Sequence, residues 1–210
     1  MKVVIIGGVA AGMSAASKLK RLLKDQVEIV VYEKGEEVSY GACGIPFYIS
    51  DHIRQGSELI ARTAEEFAKS GIPVKTGHEV TGVDTGKKTV TVKDLKSGEE
   101  FTDEYDKLII GSGAGVRHFP PFDKEYENLY EIRNVADGTR VKNALLDESP
   151  KHVVIVGAGF IGLEVSEACR HYGKHVTVVE LADHILPAFD TEVSQALKEE
   201  LEKNGVAVKT

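Results

Sequence analysis

The residues best suited to chemistry fall in three short stretches. In "SYGACGIPFYIS", Ser39 to Ser50, a single cysteine, Cys43, sits beside Gly44 and just ahead of Pro46. Thiols react as thiolates, and the positive end of a helix favours that form. Pro46 suits the first turn of a short helix running towards Ile49, which puts Cys43 just ahead of that end. Cys169 is the only other cysteine in the sequence, and its neighbours Val165, Ala168 and Tyr172 describe a packed helix face. It is therefore expected in the core. Two such cysteines form neither a disulfide framework nor a multi-cysteine metal site, and no metal is expected. Cys43 has to work alone.

The other two stretches are glycine turns. Gly157, Gly159 and Gly162 complete G-x-G-x-x-G between an apolar run and a helical one. A Cβ at the first glycine spoils the tight turn, at the second it blocks a pyrophosphate, and at the third it pushes the helix off the strand. The helix then offers free N–H groups and partial positive charge to phosphates. Glu180 ends the following strand, where a carboxylate accepts both hydroxyls of an adenine ribose and repels a 2′-phosphate. The first turn is less complete. Gly7 and Gly12 fit, Val9 holds the middle position with Gly8 beside it, and Glu33 is the strand-end acid. Gly7 to Gly12 also spells G-x-x-x-x-G, but Met13 stands where a P-loop requires lysine, which excludes that mode of nucleotide hydrolysis.

The elements that position these residues repeat. "KVVIIGGVAAGMSAASKLKRLLKDQVEIVVYEK" and "HVVIVGAGFIGLEVSEACRHYGKHVTVVEL" each read as apolar strand, glycine turn, amphipathic helix and second apolar strand ending in an acid. Apolar runs without alternation predict parallel strands buried on both faces. Between the two units, alternation around Thr89–Val92, with turns at Gly86 and Gly98, predicts an antiparallel meander ending in a buried strand over Lys107–Ile110. Asn134 is expected to cap a helix reaching about Asp147, with Pro150 closing the segment. The fold class is α/β: two Rossmann-like βαβ dinucleotide-binding units, a β-meander in the first, and the second unit incomplete. Two such units imply two dinucleotides, typically one flavin and one nicotinamide.

Charge and length exclude other classes. A net charge of −7 disfavours nucleic-acid and anionic-membrane partners. No apolar run approaches the ~20 residues of a membrane span. "MKVVIIGG" is too short for a secretory leader, so a cytoplasmic protein in a reducing compartment is expected.

The order of βαβ unit, cysteine segment, "LIIGSGA" strand-turn and second βαβ unit resembles the pyridine nucleotide–disulfide oxidoreductase flavoproteins. "GGVAAG" followed by "SYGACGIPFYI" is similar to their single-cysteine branch, the coenzyme A disulfide reductases, NADH-dependent persulfide reductases and NADH oxidases. The resemblance implies FAD at Gly7, Gly8, Ala11, Gly12, Glu33 and Lys34, with Ser112, Gly113 and Ala114 approaching the flavin. It implies a nicotinamide cofactor at Gly157, Gly159, Phe160, Ile161, Gly162, Glu164 and Glu180. NADH is the favoured form and NADPH the alternative. Lys18, Arg21 and Ser39 are the implied substrate contacts, and Cys43 the implied redox centre reducing a small disulfide or persulfide, coenzyme A disulfide first among them; the alternatives are an NADH oxidase that reduces oxygen and, for these 210 residues alone, a non-catalytic dinucleotide-binding fragment.

Two residues depart from the family pattern. Ala10 replaces the histidine of peroxidases and water-forming oxidases, and Ala42 replaces an asparagine common in coenzyme A disulfide reductases. The domains expected are 1–114 for FAD, 115–149 as connection and 150–210 for the nicotinamide cofactor. Family members continue for about as many residues again, so this chain is expected to be the N-terminal half of a homodimeric protein.

Overall fold

The computed structural model describes residues 1–118, 120, 122, 124, 126–149 and 151–210. The chain runs β1 (Lys2–Ile6), α1 (Ala10–Leu23), β2 (Glu28–Tyr32), α2 (Ile45–Ile49), α3 (Ala64–Lys69) and β3 (Val74–Lys75). It continues through β4 (His78–Asp84), β5 (Thr89–Asp94), β6 (Glu100–Glu104) and β7 (Lys107–Ile110). Then follow α4 (Val135–Leu146), β8 (His152–Val156), α5 (Phe160–His171), β9 (His175–Val179), α6 (Thr191–Lys203) and β10 (Val206–Lys209). These elements form two compact units: residues 1–41 with 59–115, and residues 42–58 with 116–210. Among the described residues no helix is long and apolar enough to cross a membrane.

In the first unit a parallel sheet of order β3-β2-β1-β7 carries the first glycine turn. Its two faces have separate cores, which explains the unbroken apolar runs. Val3, Ile5, Ile29 and Val31 pack with Met13 and Ala16 of α1 and with Phe67 and Ile72. Val4, Val30 and Tyr32 point to the opposite face and meet Val90 and Val92 of the antiparallel β4-β5-β6 meander and Tyr105 just after it. Successive strand residues alternate faces, so one apolar run feeds both cores. The Tyr32 hydroxyl donates to Asp103 at 2.9 Å, and Lys2 pairs with the same carboxylate.

Strand β7 departs from the expectation of two-sided burial. It pairs only with β1, at the sheet edge, and Ile110 is 65% exposed. Strand β8 behaves likewise in the second unit, where the parallel order is β10-β9-β8. Val154 and Val156 lie on its open face, while α5 covers the other. An apolar run does not by itself distinguish a central strand from an edge.

The second unit also holds the cysteine segment. Asn134 caps α4 in the expected way: its side chain accepts from the Asp137 N–H at 2.8 Å, and Asp137 accepts in return from the Asn134 N–H. Pro150, expected to close this segment, lies outside the described residues. Helix α2 has only five residues, too few to hold a helix unaided. It is fixed by burying Ile45, Pro46, Tyr48 and Ile49 and by packing on α4 and α5. Lys142 of α4 lies over the Tyr48 ring, 4.5 Å from its centroid, and pairs with Asp51 at 2.7 Å.

Gly138 of α4 makes room for α2, since a Cβ there would stand 2.8 Å from Ile45 Cγ2. Alanine gains about 1 kcal/mol of helix propensity over glycine, whereas overpacking costs about 1–3 kcal/mol. Gly138→Ala is therefore expected to lower the denaturation midpoint of this unit despite the better helix former. Urea titration followed by circular dichroism measures the shift.

Candidate functional site

Each unit presents a glycine turn at the C-terminal end of its first strand, and the two are built alike. Gly7 (φ +100°) and Gly157 (φ +103°) adopt backbone that side-chain-bearing residues rarely take. Their N–H groups donate at 2.8 Å to Tyr32 O and Val179 O, stitching each turn to the neighbouring strand. A Cβ at Gly12 would overlap the Gly7 carbonyl oxygen, and one at Gly162 the Gly157 carbonyl oxygen. These third glycines thus let helices α1 and α5 close onto their own turns. At Gly159 the position of a Cβ has no protein atom within 4 Å. The turn leaves open space there, beside the N-terminus of the twelve-residue helix α5. A pyrophosphate fits that cradle.

The strand-end acids are part of the turns. Glu33 accepts from the Gly8 N–H at 2.6 Å through Oε2 and from the Gly35 N–H at 2.7 Å through Oε1. Glu180 accepts from the Ala158 N–H at 2.7 Å through Oε2, and from the Leu181 and Ala182 N–H groups at 2.8 and 3.0 Å through Oε1. These backbone donors, Ala182 and Ala158 foremost, hold the Glu180 carboxyl below its ordinary range. The sequence marked both glutamates but gave no sign of the amides that bind them.

The other expected residues are distributed as follows. Ala11 and Lys34 are exposed, in the first turn of α1 and directly after Glu33. Ser112, Gly113 and Ala114 form an exposed loop after β7, and the adjoining Gly111 carbonyl lies where a Gly7 Cβ would go. Phe160, Ile161 and Glu164 lie exposed on the first turns of α5, with Phe160 edge-to-face on Phe189 at 5.7 Å between centroids. In the first unit an open groove of about 410 Å³ runs between α1 and the Ser39–Gly41 segment. Arg21 and Ser39 line it, together with Ser14, Ser17 and Tyr40. Lys18 is exposed on α1 outside that lining. Ser14, Ser17 and Arg21 follow helical spacing on one face, a pattern from which this polar stripe could have been read.

Ser39 has φ +51°, uncommon for serine. Hydrogen bonds on both sides impose it: its N–H donates to Gly8 O and its carbonyl accepts from Ala61, each at 2.9 Å.

Cys43 is exposed in a single 3-10 turn, Ala42–Gly44, that leads directly into α2 with Pro46 in the first helical turn. Cys169 is the opposite case. It is buried in α5, and burial pushes its thiol up to about 11.

Paired glycine turns, each closed by a strand-end glutamate, define a Rossmann-type α/β protein. The chain belongs to the pyridine nucleotide-disulphide oxidoreductase family, whose sequence model matches residues 1–210. It is 32% identical to the coenzyme A disulfide reductase of Staphylococcus haemolyticus over 206 residues, 98% of this chain and 46% of that protein. The chain thus spans about half the length of the curated relatives it matches. Reduced Bacillus anthracis CoADR-RHD superposes with a TM-score of 0.93 at 34% identity, covering 99% of this chain and 38% of that one. The NAD-dependent persulfide reductase of A. fulgidus gives 0.92 at 34% identity, covering 99% and 39%.

Two outcomes are expected from this geometry. Under native conditions at neutral pH, iodoacetamide labels Cys43 and leaves Cys169 unmodified until the protein is unfolded; peptide mass mapping distinguishes the two. Glu180→Gln sets an amide NH₂ against a backbone N–H, so the variant is less stable than the parent at neutral pH. Because the folded carboxyl sits below its ordinary value near 4.5, its contribution is fully present above that value. The contribution is lost as pH falls through the lowered folded value. The stability gap between parent and variant should therefore narrow in acid, as read by urea midpoints across pH.

Proposed function

We propose that the protein is a flavin-dependent NAD(P)H:disulfide oxidoreductase in which Cys43 carries the thiol chemistry and a small disulfide or persulfide is the acceptor. One observation carries this reading: the one exposed cysteine of the chain is seated at the start of a buried, tightly held helix, in a protein with two nucleotide turns. The family membership and the coenzyme A disulfide and persulfide reductases among its relatives support the choice of acceptor. Residues 1–114 are assigned to FAD, 115–149 to the connection and 150–210 to NADH. Bound nicotinamide and flavin together supply two-electron transfer.

The residues of the chain supply the rest. Gly7, Gly8, Ala11, Gly12, Glu33 and Lys34 hold the ADP half of FAD, with Ser112–Ala114 towards its ring. Gly157, Gly159, Phe160, Ile161, Gly162, Glu164 and Glu180 hold the nicotinamide cofactor. The Cys43 thiolate attacks one sulfur of the disulfide, forming a mixed disulfide and releasing the first thiolate. Two electrons and one proton then break that bond, returning Cys43 as thiolate and releasing the second thiol. Arg21 and Ser39, on the 410 Å³ groove, and Lys18 beyond it on α1, contact the thiol carrier. Arginine and lysine there suit the phosphates of coenzyme A.

The test is Cys43→Ser in the full-length protein. NADH-dependent release of thiol from coenzyme A disulfide should fall by roughly a thousandfold or more, with NADH bleaching of the flavin unchanged. Undiminished thiol release overturns the role of Cys43. Oxygen uptake in place of thiol release by the parent protein establishes an NADH oxidase instead.

A further inference from the structure

Helix α2 begins at the Cys43 turn and is held at its other end. Lys142 of α4 is buried, and its ammonium donates to Asp51 Oδ1 at 2.7 Å and to the Arg54 carbonyl at 3.2 Å, with the Tyr48 ring centroid 4.5 Å away. All three partners lie at or just past the C-terminal end of α2. The Tyr48 hydroxyl makes a second tie to α4, standing 3.1 Å from Thr139 Oγ1. Asp51 joins this cluster from an unusual backbone: its φ is +66°, one residue past the Ser50 cap. Glycine is the common occupant of that position, because the left-handed backbone costs it no steric strain.

Neither feature favours stability. Burying an ammonium carries a desolvation penalty that its ion pair seldom offsets in full, and aspartate fits this helix end less well than glycine. What the pair does supply is a fixed geometry. The Cys43 turn, Ala42–Gly44, runs into α2 without a break, Gly44 keeping helical backbone at φ −84° and ψ −9°. Five helical residues span only about 7.5 Å, so a tilt at Asp51 is carried to Cys43 with no hinge between them.

We propose that Asp51 and Lys142 are positioning residues for Cys43: their ion pair fixes the far end of α2 against α4 and thereby sets where the thiol stands. This rests on the reading of Cys43 given under Proposed function and names the residues that serve it.

The test uses the full-length, FAD-loaded protein carrying Asp51→Gly and Lys142→Met together. Glycine suits the left-handed position, methionine keeps most of the lysine stem, and removing both partners leaves no buried charge unpaired. The urea midpoint should match or exceed the parent's, and NADH should bleach the flavin as fast as in the parent. In NADH-dependent release of thiol from coenzyme A disulfide, kcat should fall about tenfold to a hundredfold, the effect of misplacing a reacting group by about 1 Å, with KM within about twofold. Asp51→Asn tolerates the same backbone and still accepts from Lys142, so its kcat should stay within about threefold of the parent's. An unchanged kcat in the double variant overturns the proposal. So does a fall in kcat accompanied by a lowered midpoint, because the pair then serves stability alone. Cys43→Ser is assayed alongside: if it still releases thiol, the reading of Cys43 fails and the positioning role falls with it, a result distinct from either pattern in the double variant.

Discussion

A carboxylate fastened to backbone amides organises both halves of this molecule. At Glu33 and at Glu180 the charge is compensated by N–H groups of the glycine turn and of the residues just after the acid, Gly8 and Gly35 in one unit, Ala158, Leu181 and Ala182 in the other. A partly buried charge is tolerated only when it is paired or hydrogen-bonded. Here the donors are amides that would otherwise need water. One bond in each unit, from Gly8 and from Ala158, joins the strand-end acid to the turn carrying the glycines. The left-handed backbone at Gly7 and Gly157 and the close seating of α1 and α5 then follow from a single arrangement used twice.

The two cysteines show how the same side chain is placed in opposite surroundings. Cys169 is walled in by its helix and the sheet below, and burial keeps it protonated. Cys43 is exposed, yet the helix behind it is one of the more tightly fixed pieces of its unit, wedged against α4 with Lys142 bridging Tyr48 and Asp51. A nucleophile benefits from this combination of access with a rigid base. On the function proposed above, the sulfur that Cys43 bonds is the substrate's, since Cys169, the other cysteine of this sequence, is buried.

Much of this was legible in the sequence because it depends on local steric rules. The glycine spacings, the strand-end acids, the Asn134 cap and the Pro46 helix are each dictated by residues within a few positions of one another. The meander declared itself through alternation at Thr89–Val92, because one of its faces is covered and the other is not. Relations between distant residues were hidden. Nothing in the run Lys107–Ile110 or His152–Val156 tells an edge strand from a central one. Nothing around Ser39 announces a left-handed serine, because that conformation is imposed by Gly8 and Ala61. The amides that fill Glu180 are invisible to a reading by residue type, since every residue has one.

The central claim is that Cys43 alone carries the substrate's sulfur, and its most direct test is the covalent state of that residue. Full-length protein incubated with coenzyme A disulfide in the absence of NADH should gain one coenzyme A per chain by intact mass. Peptide mapping should place the adduct on Cys43, and added NADH should remove it. An adduct on Cys169, no adduct at all, or an adduct on Cys43 that survives NADH would contradict the account.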